Sequence, residues 1–175
     1  MAYPTIPGPY GLKPVNEIGG LPYAGSTRML PITSGYATSL YNGDLVKLAA
    51  TGVVNLNATT APSTSQAAQA AEAGTIGVFL GCEYSTPTGV ITGKNRYNMW
   101  AASTVAQDAV AYICDDPNAV FKSAILAMPA AAGNNTGAIT TIGYMSPAFV
   151  GTNVYFVGRV NGGVSATGVS LAGVV

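Results

Sequence analysis

Residues 109–125 read Ala109-Val-Ala-Tyr-Ile-Cys114, then Asp115-Asp-Pro-Asn118, then Ala119-Val-Phe-Lys-Ser-Ala-Ile125. The first six residues are small, β-branched or aromatic, and Val110, Tyr112 and Cys114 fall on one face at the two-residue period of a strand. The next four are turn chemistry. Asp and Asn side chains bond the backbone a residue or two further on, and proline fixes φ while removing a donor. A second apolar run, 120–125, then returns. Strand, tight turn, strand is therefore the unit in which the rest of the chain is read.

Working outward, the same unit recurs. Strands are expected at 27–32, 44–48, 53–56, 76–84, 90–92, 97–101, 139–142 and 154–160, the last with Val154, Phe156 and Val160 on one face. Between them lie Asn42-Gly43, Thr51-Gly52, Pro87-Thr88-Gly89, Asn135-Thr136-Gly137 and Asn161-Gly162-Gly163, which supply the positive φ that tight turns demand. Many short strands at this spacing predict a mainly β chain, a compact antiparallel β-barrel or sandwich. Residues 27–175 form its single β-rich domain. Residues 57–74 interrupt the pattern: they are polar and Ala-rich, and read either as a loop or as a short helix from Gln66 to Ala73 closed by Gly74.

Residues 1–26 differ in kind. Five of the eleven prolines fall there, with Gly8, Gly11, Gly19, Gly20 and Gly25, so neither a helix nor an interior strand is expected. The segment also carries Tyr3, Ile6, Tyr10, Leu12 and Tyr23, which a solvated tail would lack. It reads as an extended arm that lays aromatics on a surface, belonging either to its own domain or to a neighbour.

Charge sets the function classes. The chain holds seven Lys or Arg, seven Asp or Glu and no histidine, a charged fraction of 8% against roughly 25% in an ordinary domain. A folded chain of this mass exposes on the order of 8,000 Å², so large stretches of surface carry no charge. Such a surface is poorly protected against association, and zero net charge removes the remaining repulsion. An oligomeric assembly member is expected. Scattered basic residues make no patch for phosphates, so neither DNA nor RNA is an expected partner. No apolar run approaches the ~18–20 residues of a membrane span, and the first residues lack a basic, then apolar, export signal. Synthesis in a cytoplasm is the expectation.

Catalytic chemistry is hard to assemble from these residues. Without histidine, Ser-His and Cys-His nucleophiles and most transition-metal sites are missing. Gly89-Val-Ile-Thr-Gly93-Lys94 is one residue short of a phosphate loop and lacks the following Ser or Thr. Asp115 and Asp116, joined by Asp108, are the one carboxylate group with the look of a calcium site, but Asp-Asp-Pro-Asn is more simply a turn. Cys82 and Cys114 read as small buried hydrophobes. No enzyme, cofactor or metal site is expected. Trp100, the one tryptophan, reads as a core or interface anchor. With Tyr3, Pro4, Ile6, Pro7, Tyr10, Leu12 and Tyr23 of the arm, it completes the set of candidate interface residues.

Two ordered sets of motifs carry a resemblance. The first is Tyr10-Gly-Leu-Lys-Pro-Val-Asn16 with Pro22-Tyr-Ala-Gly-Ser-Thr-Arg28. The second is Gly43-Asp-Leu-Val-Lys-Leu48, then Gly77-Val-Phe-Leu-Gly81, then Val110-Ala-Tyr112 with Asp115-Asp-Pro-Asn-Ala-Val-Phe121. Over residues 10–125 the chain resembles the decoration or cement proteins of tailed-phage capsids. The resemblance implies a β-barrel-type domain on the virion exterior, bound to the major capsid protein lattice and bridging capsomers against internal DNA pressure. It also implies self-association, as a trimer or else a dimer. The alternative within the same class is a tail, baseplate or host-attachment component.

Overall fold

The computed structural model describes residues 10–55, 75–85 and 93–124, together with the backbone of four two-residue strands further on. In chain order the strands are β1 (Lys13–Glu17), β2 (Arg28–Pro31), β3 (Leu40–Tyr41), β4 (Leu45–Ala49), β5 (Gly52–Asn55), β6 (Thr75–Tyr84), β7 (Asn95–Tyr97), β8 (Met99–Trp100), β9 (Val110–Cys114) and β10 (Ala119–Lys122). Beyond them come β11 (Phe156–Val157), β12 (Gly163–Val164), β13 (Val169–Ser170) and β14 (Gly173–Val174), with β11 paired to β14 and β12 to β13. No helix occurs among the described residues. The strands expected at 90–92 and 139–142, the short helix at 66–73 and most of 154–160 lie outside them.

β6 is the spine of the fold. One of its edges pairs with β9, while the other is shared between β4 in its first half and β7 in its second. The principal sheet runs β2-β9-β6-β4-β5, antiparallel at every pair, with β7 alongside β6. A bulge between Phe79 and Gly81 shifts the register against β9 by one residue. Strict alternation would send Phe79 and Cys82 to opposite faces. The extra residue reverses the phase, so that Phe79, Cys82 and Tyr84 all turn inward and are buried. The bulge also leaves the Leu80 carbonyl off the ladder, and the Asn42 side-chain amide donates to it at 2.6 Å. Gly81 takes φ +145°, and a Cβ there would stand 2.7 Å from the Tyr97 carbonyl oxygen. The bend therefore requires glycine.

The sheet curls around a core of Ile32, Leu40, Val46, Val53, Phe79, Cys82, Tyr84, Trp100, Ala106, Ala109, Ala111 and Ile113. A two-stranded ribbon, β3 with β8, brings Leu40 and Trp100 into register and plugs the interior. Tyr84 stacks on Tyr97 at 4.4 Å and meets Trp100 edge to face at 5.3 Å. Full burial of side chains this large contributes about 1.5–3 kcal/mol each. At the seam, edge strands β2 and β5 approach each other: Thr33 Oγ1 donates to the Thr51 carbonyl, and Gly52, at φ +128°, lies directly under the Pro31 carbonyl. Among the described residues no ladder joins the two edges, and none of the sheets closes into a barrel.

Two readings take a definite form in the structure. The alternation of residues 109–114 is present, with Val110, Tyr112 and Cys114 on one face as expected, and it is the other face, Ala109, Ala111 and Ile113, that meets the core. Val110 and Tyr112 are half-exposed on the outer face, where Cys114 is buried separately. Register explains the choice: Ala111 is the partner of buried Cys82 and Ile113 that of buried Phe79, so all four face the core together. The second concerns the arm, for which its own domain and a neighbour were both open. Residues 10–26 dock on their own chain. Leu12 N–H donates to the Gly43 carbonyl at 3.0 Å and Ile18 N–H to the Asn118 carbonyl at 2.8 Å. Between them β1 pairs antiparallel with β10. Pro14 is tolerated because a two-stranded ribbon has only edges, and a bulge at Val15 absorbs the irregularity.

Candidate assembly interface

The scarce charges are largely engaged within the molecule. Arg28 pairs with Asp115 at 2.7 Å. Glu83 accepts from the Tyr112 hydroxyl at 2.5 Å, with Lys94 Nζ 3.9 Å away, and the Arg96 guanidinium lies 4.3 Å over the Tyr112 ring. That hydrogen bond to Glu83, followed by burial, raises the Tyr112 pKa above its ordinary value. Asp108 accepts from the Ser85 hydroxyl at 2.7 Å and the Ser85 amide at 3.1 Å, and these bonds lower its pKa. Asp116 accepts from the Asn118 amide at 2.8 Å and closes the turn expected there. Buried Asp44 accepts from the Tyr41 amide at 2.9 Å, fixing the Tyr41–Asp44 turn. Asp108, Asp115 and Asp116 thus have separate partners, and among the described residues no three potential ligands gather as a metal would require.

Tyr23 holds the arm on the sheet. Its hydroxyl donates to the Ser26 carbonyl at 2.6 Å and lies within reach of the Cys114 sulfur. Burial, that thiol and the nearby Asp116 and Glu17 carboxylates together push its pKa well above the ordinary tyrosine value. Cys114 and Val78, opposite one another in register, form a small buried patch on the sheet's outer face. Cys82 lies on the inner face, where its thiol approaches the Met99 carbonyl at 3.3 Å and burial raises its pKa to about 12. Both cysteines are free.

The candidate interface residues separate accordingly. Tyr3, Pro4, Ile6 and Pro7 lie outside the described residues. Tyr10, Leu12 and Tyr23 are half-buried against their own chain. Trp100 is corrected outright: it is 0% exposed, and its indole N–H donates to the Tyr36 carbonyl at 3.3 Å, so it is a core anchor with no surface to offer.

The large apolar side chains exposed among the described residues are different ones: Met29, Leu48 and Val105 stand apart from one another, and four others lie close together. Val15 is 37% exposed, Ile18 69%, Leu21 63% and Val120 41%, and all four sit on the β1–β10 ribbon or the turn that follows β1. That turn is held by Glu17 N–H to the Leu21 carbonyl at 2.8 Å and Gly20 N–H to the Glu17 carbonyl at 3.1 Å. Along β10, exposed Val120 and Lys122 alternate with half-buried Ala119 and Phe121, so one face of the ribbon turns to solvent. Sequence reading passed over these residues because prolines and glycines concealed β1. The signal available was a pair of large aliphatics, Ile18 and Leu21, flanking Gly19-Gly20, the position of side chains carried on an exposed turn. Comparison with known proteins returns no matching family model, no curated relative and no matching solved structure.

Proposed function

We propose that the protein is a non-enzymatic virion component, a capsid decoration or cement protein that binds the outer surface of the major capsid protein lattice and bridges capsomers. The observation that carries this reading is the exposed apolar ribbon on a chain whose few charges are mostly engaged internally. Four large apolar side chains on one small ribbon suit a contact made once and kept. A surface otherwise poor in free charge offers little to repel a neighbour. The phage setting comes from the resemblance in residues 10–125. In this reading the protein binds no cofactor, nucleic acid or membrane. Its partners are the lattice protein and other copies of itself, and many modest contacts in a lattice add up to near-permanent attachment.

The test is thermal release of DNA from purified particles with and without the protein. Particles lacking it are expected to assemble but to lose DNA at a lower temperature; equal release temperatures would overturn the cement role. Counting copies per particle separates the alternative, since hundreds fit a lattice site and a dozen or fewer fit a tail or baseplate part.

A further inference from the structure

Although the chain is neutral, its described surface is one-sided in charge. Six of the seven carboxylates lie among the described residues, and every one of the six is buried or half-buried. Asp44, Glu83, Asp108, Asp115 and Asp116 already accept bonds or ion pairs within the molecule. Four cations, by contrast, are exposed: Arg28, Lys94, Arg96 and Lys122. The first three are engaged by Asp115, Glu83 and the Tyr112 ring. Lys122 has no carboxylate beside it among the described residues, and its partner across the ladder is another cation, Lys13. Register partners share a ribbon face. Lys13 with Lys122 and Asn16 with Val120 therefore stand on one side, and Pro14 with Phe121 and Glu17 with Ala119 on the other. Burial follows that division: Asn16, Val120 and Lys122 are exposed, while Glu17, Ala119 and Phe121 are half-buried. Like charges directly opposite one another in an antiparallel ladder repel, so the lysine pair works against the chain's own fold. Lys13 also lies over the Tyr10 ring, 5.1 Å from the centroid, a contact that leaves its charge in place. Beside the pair stand exposed Val15 and Val120, with Ile18 and Leu21 in the turn beyond. The face is cationic and aliphatic, and no described carboxylate is on it.

We propose that this face docks an acidic surface of a different protein, with carboxylates set against Lys13 and Lys122 and aliphatic side chains against Val15, Val120 and Ile18. A second copy does not supply that chemistry. A twofold contact needs a surface that is complementary to itself, and ribbon laid on ribbon brings lysines and aliphatics but no exposed carboxylate. Nor do the remaining parts of the chain, because the residues outside the described ones hold one acidic side chain, Glu72. The counter-charge therefore comes from another molecule. Phosphate backbones and anionic membranes are held by larger basic clusters, about four to eight Lys or Arg at a membrane; here two lysines stand beside aliphatic area, which suits a protein surface of mixed acidic and apolar character. Charge complementarity of this kind selects the partner and its register more than it adds affinity. The inference rests on the proposed function only in taking the ribbon as a contact surface. It does not need the virion setting, and equal thermal release of DNA from particles with and without the protein would leave it standing.

Fluorescence anisotropy of the purified whole chain tests this, with a dye-labelled peptide of three Glu followed by Leu-Ser-Leu-Ser-Leu as the probe. The parent should bind the peptide, and binding should weaken as salt rises. Replacing the three Glu of the peptide by Gln, or introducing Lys122→Glu in the protein, should each weaken binding about tenfold. Lys94→Gln, which alters the net charge elsewhere on the molecule, should leave binding unchanged. Ile18→Ser with Val120→Ser should weaken it at constant charge and keep the parent's far-UV spectrum. A second measurement needs no partner. Lys122→Glu exchanges a repelling cross-strand pair for an attracting one, so its urea unfolding midpoint should rise while its peptide binding falls. Absence of binding, equal binding of the Glu and Gln peptides, or a Lys122→Glu protein that loses stability along with binding would each overturn the proposal. So would preference for a DNA oligonucleotide or for phosphatidylserine vesicles over the peptide, or a dimer in sedimentation velocity that Lys122→Glu dissociates.

Discussion

The two sides of β9 show how differently this chain treats apolar residues. On the inner side Ala111 and Ile113 lie in a core with Phe79, Cys82 and Trp100, where every large side chain has neighbours from several strands. Past the outer side, the β1–β10 ribbon leaves Val15, Ile18, Leu21 and Val120 in solvent. Hydrophobicity is similar in both places, but its consequences are opposite. Inside, apolar area removed from water holds the fold; on the ribbon, the same kind of area remains available to another surface. Substitutions inside should cost stability and those on the ribbon should cost association.

The largest effect belongs to Trp100→Ala. Removing the buried indole leaves a cavity where Leu40 and Tyr84 met it, and unfolding in urea should show a loss of about 3–5 kcal/mol. Gly81→Ala comes next. It forces a side chain into a positive-φ position against the Tyr97 carbonyl, at a cost of about 1–3 kcal/mol, and should slacken the β6–β7 pairing in hydrogen exchange. If Gly81→Ala proved neutral, the phase-reversing bulge would not be what aligns Phe79 with Cys82.

Alkaline pH sharpens the contrast further. Burial raises Cys82 from 9.0 to about 12. Above pH 9 the unfolded chain releases a proton that the folded chain keeps. The contribution of Cys82 is thus complete below that pH and falls away as pH rises towards 12, by at most about 1.4 kcal/mol per pH unit. Cys82→Ala should flatten the fall measured by denaturation at successive pH values. The upward-shifted Tyr23, Tyr84 and Tyr112 retain part of it. The smallest stability effect is expected from Ile18→Ser. At an exposed turn it should stay within about 0.5 kcal/mol of the parent, and a loss well beyond that would make the turn part of the fold's own core.

Several of these features could be read in the sequence for physical reasons. β6 and β9 stand out because long β-branched and aromatic runs bounded by turn residues have few other uses. The turns at Asn42-Gly43 and Asp115–Asn118 follow from side chains that bond locally. The inner face of β9 was not legible. Alternation sets Val110, Tyr112 and Cys114 on one face, but which of the two faces meets the core depends on Phe79 and Trp100 elsewhere in the chain. Nor was the docking of residues 10–26 legible, because Pro14 disfavours a strand locally and the partner that makes β1 one is β10, far along the chain. Trp100 was read as core or interface because burial of a lone tryptophan is decided by its neighbours.

That distance between β1 and β10 bears on when the ribbon comes into being. Pairing Lys13 with Lys122 closes a loop spanning most of the described chain, and contacts of such long sequence range are paid for late in folding, after local pairs have formed. Neither strand alone makes the paired ribbon. A chain still emerging from the ribosome has β1 without β10, so the exposed face carrying Val15 and Val120 is completed only once the strands between them have been made.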